Sequence, residues 1–167
     1  MKGKDLETVI HAFITSRLDY CNALYFGLPQ SQLAHLQLVQ NAAARLLTGK
    51  RRQEHITPVL SSLHWLPICF RIHFKMLLLV FKSLHGQAPL YISEMLQHYS
   101  APRSLRSADK GLLCVARSRL KNKGDCAFAV AAPRLWNALP PDIRSAPTIS
   151  TFESRLKTYL YTLAFPS

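Results

Sequence analysis

The acidic residues of this chain are too scattered to suggest a catalytic site. Its 167 residues include 9 Asp and Glu, with no Asp-Asp and no Asp-x-Asp pair. Enzymes that transfer nucleotides with two metal ions need two carboxylates that converge on ions about 4 Å apart. The six glycines are isolated, so the sequence has no glycine-rich phosphate loop, and it has no Gly-x-Ser-x-Gly or His-Glu-x-x-His motif. We therefore predict no catalytic residue and no enzyme activity.

The closest approach to a metal-binding set is His64, Cys69 and His73, of which the last two are about one helical turn apart. Zinc usually takes four ligands from spaced pairs, and the other histidines and cysteines are dispersed. A core cysteine and a surface histidine are the simpler interpretation, so we expect no metal and no other cofactor. The four cysteines form no Cys-x-x-Cys pair and predict buried, reduced thiols in an intracellular protein: Cys21, Cys69, Cys114 and Cys126.

Positive charge is the strongest feature of the composition. The chain has 21 Lys and Arg, a formal net charge of +12, and 49% hydrophobic residues. This hydrophobic fraction excludes a disordered basic tail, and a chain of this size can bury a core. The excess charge must then lie on the surface, where it favours anionic partners such as nucleic acid or acidic lipid.

Two places concentrate this charge. The first is Lys50-Arg51-Arg52, which we name the basic triplet. The second is the basic segment, residues 103–123, with seven cations against Asp109: Arg103, Arg106, Lys110, Arg117, Arg119, Lys121 and Lys123. These ten residues are the candidate contacts to an RNA or DNA backbone. For the basic segment, the alternative is a solvated loop that keeps the protein soluble.

Nothing in the sequence indicates a membrane segment. The most apolar run has only six residues, from Met76 to Phe81, whereas a bilayer-spanning helix needs about 20. The N-terminus lacks the apolar stretch of a signal peptide. We therefore predict a soluble intracellular protein, nuclear or cytoplasmic, with no membrane partner.

The spacing of apolar residues predicts a mainly α fold, a helical bundle. An αα-hairpin comes first: a helix capped by Asp5 reaches Tyr25, and a second helix, capped by Ser31, ends at Gly49 as a left-handed C-cap. A short helix begins at Thr57-Pro58 and runs to about residue 63. A central hydrophobic helix follows over residues 68–84, apolar almost all round in its second half, and another helical piece covers residues 90–98.

The pattern in the second half of the sequence predicts a small, basic and partly β insert, followed by a last helix. Residues 112–116 are a short apolar run flanked by turn formers, as in a strand. Residues 125–139 look helical or irregular, with Pro133 inside. A capping box at Ser150-Thr151-Phe152-Glu153 predicts the start of a C-terminal amphipathic helix. Trp65 and Trp136 are predicted to anchor the core.

A series of sequence blocks follows in order along nearly the whole chain. They are Ser16-Arg17-Leu18-Asp19-Tyr20-Cys21-Asn22-Ala23-Leu24 with Gly27-Leu28-Pro29; Leu36-Gln37-Leu38-Val39-Gln40-Asn41-Ala42-Ala43-Ala44-Arg45; His55-Ile56-Thr57-Pro58-Val59-Leu60 with Leu63-His64-Trp65-Leu66-Pro67; Arg71-Ile72 with Lys75; Ser104-Leu105-Arg106-Ser107; Arg117-Ser118-Arg119-Leu120-Lys121; Ala131, Pro133, Leu135, Trp136, Asn137, Leu139 and Pro140; and Phe152, Leu156, Lys157 and Leu160. In this order the blocks resemble the reverse transcriptases of LINE-type, non-LTR retrotransposons, and most closely the chicken-repeat-like vertebrate elements.

The resemblance implies a position downstream of the polymerase palm, with a helical thumb-like domain at residues 1–99 and a basic C-terminal extension at 100–167. The alternative is that the two parts pack as one unit. The palm with its Asp-Asp metal site and the endonuclease of that family are absent, so no catalytic residue carries over. The basic triplet and the basic segment match a thumb that grips the nucleic-acid backbone. The missing palm implies an exposed apolar face and self-association. The alternative is a protein-interaction or structural module, or a relic, with no nucleic-acid role.

Overall fold

The computed structural model describes residues 3–100, 111–118 and 124–166. The described residues are mainly helical, which confirms the predicted fold class. By contacts the chain divides into two compact units: unit 1 contains Met1–Ile72 and Tyr159–Ser167, and unit 2 contains His73–Thr158. The boundary predicted between residues 99 and 100 marks a change in charge rather than in contacts, and it stays a prediction.

The first predicted helix of unit 1 is broken into short elements. They are α1 (Gly3–Ile10), a π-helical turn (His11–Thr15), α2 (Ser16–Asp19) and a 3-10 turn (Asn22–Tyr25). The helix ends at Asp19, because Tyr20 is extended (φ −69°, ψ 119°), and Cys21 follows with a left-handed φ of 50°. Cys21 is exposed and Leu24 is 79% exposed, so their helical spacing did not mark a buried face. Asp5 lies inside the first turn of α1 rather than capping it.

The second helix of the hairpin, α3, extends over Gln30–Thr48. Its N-cap is Pro29, so the predicted cap Ser31 already lies inside the helix and that prediction is wrong. The predicted C-cap is confirmed. Gly49 has a φ of 67°, a conformation that glycine adopts without steric cost, and its N–H donates to the Arg45 carbonyl.

The next two helices follow the prediction closely. Helix α4 covers Ile56–Ser62 and has His55 as its N-cap, so Thr57-Pro58 lies in its first turn instead of starting it. Helix α5 covers Ile68–Leu84, as the all-round apolar pattern predicted. In the described residues, no helix is both long enough and apolar enough to cross a membrane.

The described core of unit 1 includes two apolar clusters. Residues of α2, α3 and α5 form the first: Leu18, Leu33, Ile68 and Ile72. Ala44, Val59 and Leu60 form the second, against which Phe165 packs. The C-terminal end of the last helix, α9 (Ile149–Ala164), lies beside this second cluster. There the Tyr161 hydroxyl donates to the Ser61 carbonyl (2.9 Å) and lies 2.6 Å from the Ser61 hydroxyl.

In unit 2, residues 112–116 form a single antiparallel bridge instead of the predicted strand. Helix α6 covers only Leu90–Ser93, shorter than predicted, because the chain after it extends to pair with residues 112–114. Leu113 bridges His98, the only pairing of this kind within the described residues. The Tyr99 N–H donates to the Leu112 carbonyl (2.9 Å), and the Cys114 N–H donates to the Gln97 carbonyl (2.8 Å).

The remaining helices of unit 2 are α7 (Phe128–Asn137), α8 (Pro141–Arg144) and most of α9. Pro133 lies buried inside α7. The predicted capping box of α9 is wrong, because the helix starts at Ile149 and Thr148 caps it by accepting the Thr151 N–H (3.2 Å). The predicted apolar stripe of α9 holds for three residues, Phe152, Leu156 and Leu160, which are buried, whereas Leu163 is 51% exposed.

Candidate nucleic-acid interface

The structure describes four of the ten basic residues proposed as backbone contacts. Lys50, Arg51 and Arg52 are exposed in unit 1, and Arg117 is exposed in unit 2. The other six lie outside the described residues: Arg103, Arg106, Lys110, Arg119, Lys121 and Lys123. The basic triplet is therefore the candidate site whose geometry can be followed atom by atom.

The basic triplet belongs to a short loop between α3 and α4, residues 50–55, which we name the basic loop. The left-handed Gly49 turns the chain out of α3 and into this loop. Within it, the Arg51 N–H donates to Glu54 Oε1 (2.8 Å), and Lys50 Nζ lies 2.9 Å from Glu54 Oε2. The Glu54 N–H in turn donates to the Arg51 carbonyl (3.2 Å), which closes a turn. The loop therefore has a defined shape although its side chains are exposed.

The charges of the basic loop are only partly balanced. The pKa of Glu54 is lowered, first by the hydrogen bond from the Arg51 N–H and then by Lys50, so its carboxylate is ionised at neutral pH. This single acid pairs with Lys50. Among the described residues, no acid forms an ion pair with the side chain of Arg51 or Arg52. Two guanidinium groups thus remain available to an anionic ligand.

The described middle of the basic segment is fixed to α7. Asn137 binds both backbone groups of Leu113: its Oδ1 accepts the Leu113 N–H (2.9 Å), and its Nδ2 donates to the Leu113 carbonyl (2.8 Å). Trp136 Nε1 donates to the Gly111 carbonyl (2.8 Å), and the buried indole confirms the predicted anchoring role. Arg117 follows four residues after this attachment and is exposed.

Several polar residues in the quoted blocks have structural roles that the sequence did not reveal. Gln40 is 1% exposed, and its Nε2 donates to the Leu66 carbonyl (2.9 Å). Gln37 Oε1 accepts the N–H of Ile68 (2.9 Å), and Gln37 Nε2 donates to Gln40 Oε1 (2.9 Å). These two glutamines satisfy backbone groups at the start of α5, where a helix leaves its N–H groups unpaired.

An ion pair joins two other quoted blocks. Arg71 Nε and Nη2 donate to Asp19 Oδ1 and Oδ2 at 3.0 and 3.1 Å, a bidentate arrangement. Burial lowers the pKa of Arg71, and the charge of Asp19 opposes that effect. Spacing alone gives no sign of this pair, because the partners are 52 residues apart.

The metal-like set of the sequence does not assemble. No group of three or more His, Cys, Asp or Glu within residues 3–100, 111–118 and 124–166 is placed to hold a metal ion. The His64 ring stacks on Tyr161, with ring centroids 5.6 Å apart. Burial raises the pKa of the Cys69 thiol and lowers the pKa of His73. Both shifts disfavour the charged form of the side chain.

The four cysteines, all within the described residues, form no disulfide, and they are not all buried. Cys21 and Cys114 are exposed, while Cys69 and Cys126 are partly buried. The expectation of buried cysteines is therefore wrong for the first two. Cys21 is exposed because its left-handed backbone takes it out of the helical stripe on which the sequence placed it.

Iodoacetamide will alkylate Cys21 and Cys114 faster than Cys69 at mildly alkaline pH. The thiolate is the reactive form, and burial both raises the pKa of Cys69 and limits access to it. Peptide mapping by mass spectrometry after timed alkylation measures the three rates. In denaturant the rates should converge, and equal rates in the folded protein would contradict the described burial of Cys69.

In unit 1 the candidate site is thus the exposed basic loop, whose Glu54 pairs with Lys50. In unit 2 Arg117 is a separate, exposed candidate contact. Comparisons with protein-family models, with curated proteins and with solved structures found no match to this chain. Support for a function therefore comes from the residues and their geometry.

Proposed function

We propose that this chain is a catalytically incomplete, C-terminal part of a LINE-type, non-LTR retrotransposon reverse transcriptase, and that it binds the backbone of RNA or DNA without sequence specificity inside the cell. The observation that carries the binding proposal is the basic loop, in which Arg51 and Arg52 are exposed and have no acidic partner among the described residues. It requires no catalytic residue and no cofactor.

The family part of the proposal rests on the resemblance of the sequence blocks, several of which contact one another in unit 1. The Asp19–Arg71 pair joins the first block to the fourth. The Gln40–Leu66 hydrogen bond joins the second block to the third. Residues that resemble the family in sequence thus form one framework in unit 1, and the basic loop lies on that framework between α3 and α4.

The chemistry of the loop suits phosphate binding. A guanidinium group presents N–H donors in a planar fork that matches two phosphate oxygens. Contacts of this kind position a nucleic acid and carry no sequence information. We therefore expect affinity for both RNA and DNA, with a strong dependence on salt, because each neutralised phosphate releases counterions.

Replacing the triplet with K50Q/R51Q/R52Q will weaken binding to a fluorescent DNA duplex. If Arg51 and Arg52 each contact a phosphate, the slope of log K against log salt becomes shallower by about 1.8, since each contact contributes about 0.9. The measurement is fluorescence anisotropy across about 50–200 mM salt. Wild type and variant must be compared in the same buffer, because affinity varies steeply with salt.

The matched control changes three exposed cations outside the loop, K4Q/R17Q/K75Q, and removes the same net charge. It should leave the slope nearly unchanged. If the triplet variant behaves like this control, the basic loop is not the contact surface.

A second candidate function is a protein-interaction or structural module with no nucleic-acid role, which includes self-association. Large apolar side chains on the surface of unit 1 favour it, namely Phe13, Tyr20, Leu24, Leu38 and Leu46. The same titration separates the two proposals. Absence of binding at the lowest salt concentration would leave the interaction module as the better explanation.

A further inference from the structure

The carboxylate of Glu54 is held by the groups that a phosphate would use. One oxygen accepts a backbone N–H, from Arg51, and the other lies 2.9 Å from the ammonium group of Lys50. Backbone N–H groups and lysine ammonium groups are common ligands of phosphate oxygens in proteins. The basic loop thus contains a formed anion site that is filled by the chain's own anion.

We propose that Glu54 occupies the position of a nucleic-acid phosphate in the free protein, and that a phosphodiester group displaces the carboxylate and takes over the Arg51 N–H and Lys50 Nζ. This inference rests on the proposed function, because it names the ligand group of the same loop. Glu54 then competes with the nucleic acid for the same two groups, and a binding strand must displace its carboxylate.

The backbone geometry allows this exchange. The turn does not depend on the carboxylate, because the Glu54 N–H donates to the Arg51 carbonyl (3.2 Å) and Arg45 Nη2 donates to the Glu54 carbonyl (3.3 Å). The side chain of Glu54 can therefore rotate away while the loop keeps its shape. Its ion pair with Lys50 is half exposed on both sides, and such pairs are weak in water.

The arrangement predicts different contributions from the three basic residues. In the free protein Lys50 is neutralised by Glu54, whereas Arg51 and Arg52 have no such partner among the described residues. Removing the charge of Glu54 lets Lys50 contact a phosphate without first losing its ion pair. The amide oxygen of a glutamine at position 54 still accepts the Arg51 N–H, so Glu54→Gln changes the charge and preserves the loop.

The test compares E54Q with E7Q in the full chain, using a fluorescent DNA duplex. Glu7 is exposed and lies in the same unit, so E7Q adds the same unit of charge away from the loop. The same phosphate contacts form in the wild type and in E54Q, so the slope of log K against log salt should stay nearly unchanged. E54Q should nevertheless bind about two- to fivefold tighter, because no exposed Lys50–Glu54 ion pair has to be broken. E7Q should show a much smaller gain. In the K50Q background, E54Q should give no more gain than E7Q does, because the ion pair is already absent.

The other outcomes are distinct. Equal behaviour of E54Q and E7Q would overturn the inference, since Glu54 would then act only through net charge. Weaker binding by E54Q would also overturn it, because Glu54 would then be needed to shape the binding loop. Failure of the proposed function shows separately: K50Q/R51Q/R52Q would bind as the control K4Q/R17Q/K75Q does, whatever E54Q does.

Discussion

Replacing Phe152 with alanine will lower the free energy of unfolding by about 3–5 kcal/mol, the usual cost of removing a buried aromatic ring. Phe152 is 0% exposed. Its ring stacks on Phe81, with centroids 4.4 Å apart, and lies 5.8 Å from the ring of Trp136. Truncation therefore removes contacts to both α5 and α7 and leaves a cavity in the centre of unit 2. Denaturant unfolding followed by tryptophan fluorescence measures the loss.

Leu163→Ala is the matched control, because the sequence places Leu163 on the same stripe of α9. In the structure this side chain is 51% exposed, so the change should stay within about 0.5 kcal/mol. Similar losses for the two variants would mean that the apolar stripe is buried along its whole length, contrary to the structure.

Replacing Asn137 with alanine will weaken the attachment of the extended residues 111–114 to α7. It removes the two hydrogen bonds that satisfy the N–H and the carbonyl of Leu113, a residue that is 2% exposed. A buried polar group without a partner costs about 1–3 kcal/mol, so we expect a destabilisation on the order of 3 kcal/mol for the pair. Amide hydrogen exchange at Leu113 should accelerate by a corresponding factor, and mass spectrometry of that peptide measures it.

Two further variants separate the contributions of this attachment. Asn137→Asp keeps an acceptor for the Leu113 N–H, but at pH 7 its ionised carboxylate repels the Leu113 carbonyl oxygen, so its effect should be at least as large as that of Asn137→Ala. Trp136→Phe removes the bond from Nε1 to the Gly111 carbonyl and keeps most of the apolar contact. If Asn137→Ala leaves exchange at Leu113 unchanged, Asn137 does not hold this segment.

The parts of the fold that the sequence predicted well are those governed by a single strong local signal. Helix α5 is apolar almost all round, and its bounds were predicted correctly. Gly49 ended α3 as expected, because glycine is favoured in the left-handed conformation that closes a helix. Mainly α character follows from the same periodic pattern, summed over several helices.

Helix starts were harder to predict, because capping residues are common in any polar stretch. Ser31, Thr57 and Ser150 each lie one or two residues inside the helix that they were expected to begin. The first helix failed for a different reason. Its apolar spacing continued through Cys21 and Leu24, but the helix ends at Asp19 with an extended Tyr20, and both Cys21 and Leu24 are exposed.

For the candidate site, the sequence identified the basic triplet but missed the acidic residue that pairs with it. Glu54 is close in sequence, yet its pairing with the Arg51 N–H depends on the turn that the loop forms after Gly49. The attachment by Asn137 was hidden for a different reason. Its partner Leu113 is 24 residues away, and no local pattern encodes a contact over that distance.

The hydrogen bonds between Tyr161 and Ser61 have a consequence for how the protein is made. The two residues are 100 positions apart, and Phe165 covers the second cluster of unit 1 in the same region. Ribosomes add about 5–20 residues per second, so roughly 5–20 s pass between the emergence of these two partners. During that time Val59 and Leu60 lack one of their apolar neighbours. Closing a loop of this length also costs about 4 kcal/mol in chain entropy. Unit 1 is therefore finished late in translation, and a nascent chain stalled before residue 161 will display an uncovered apolar surface to chaperones.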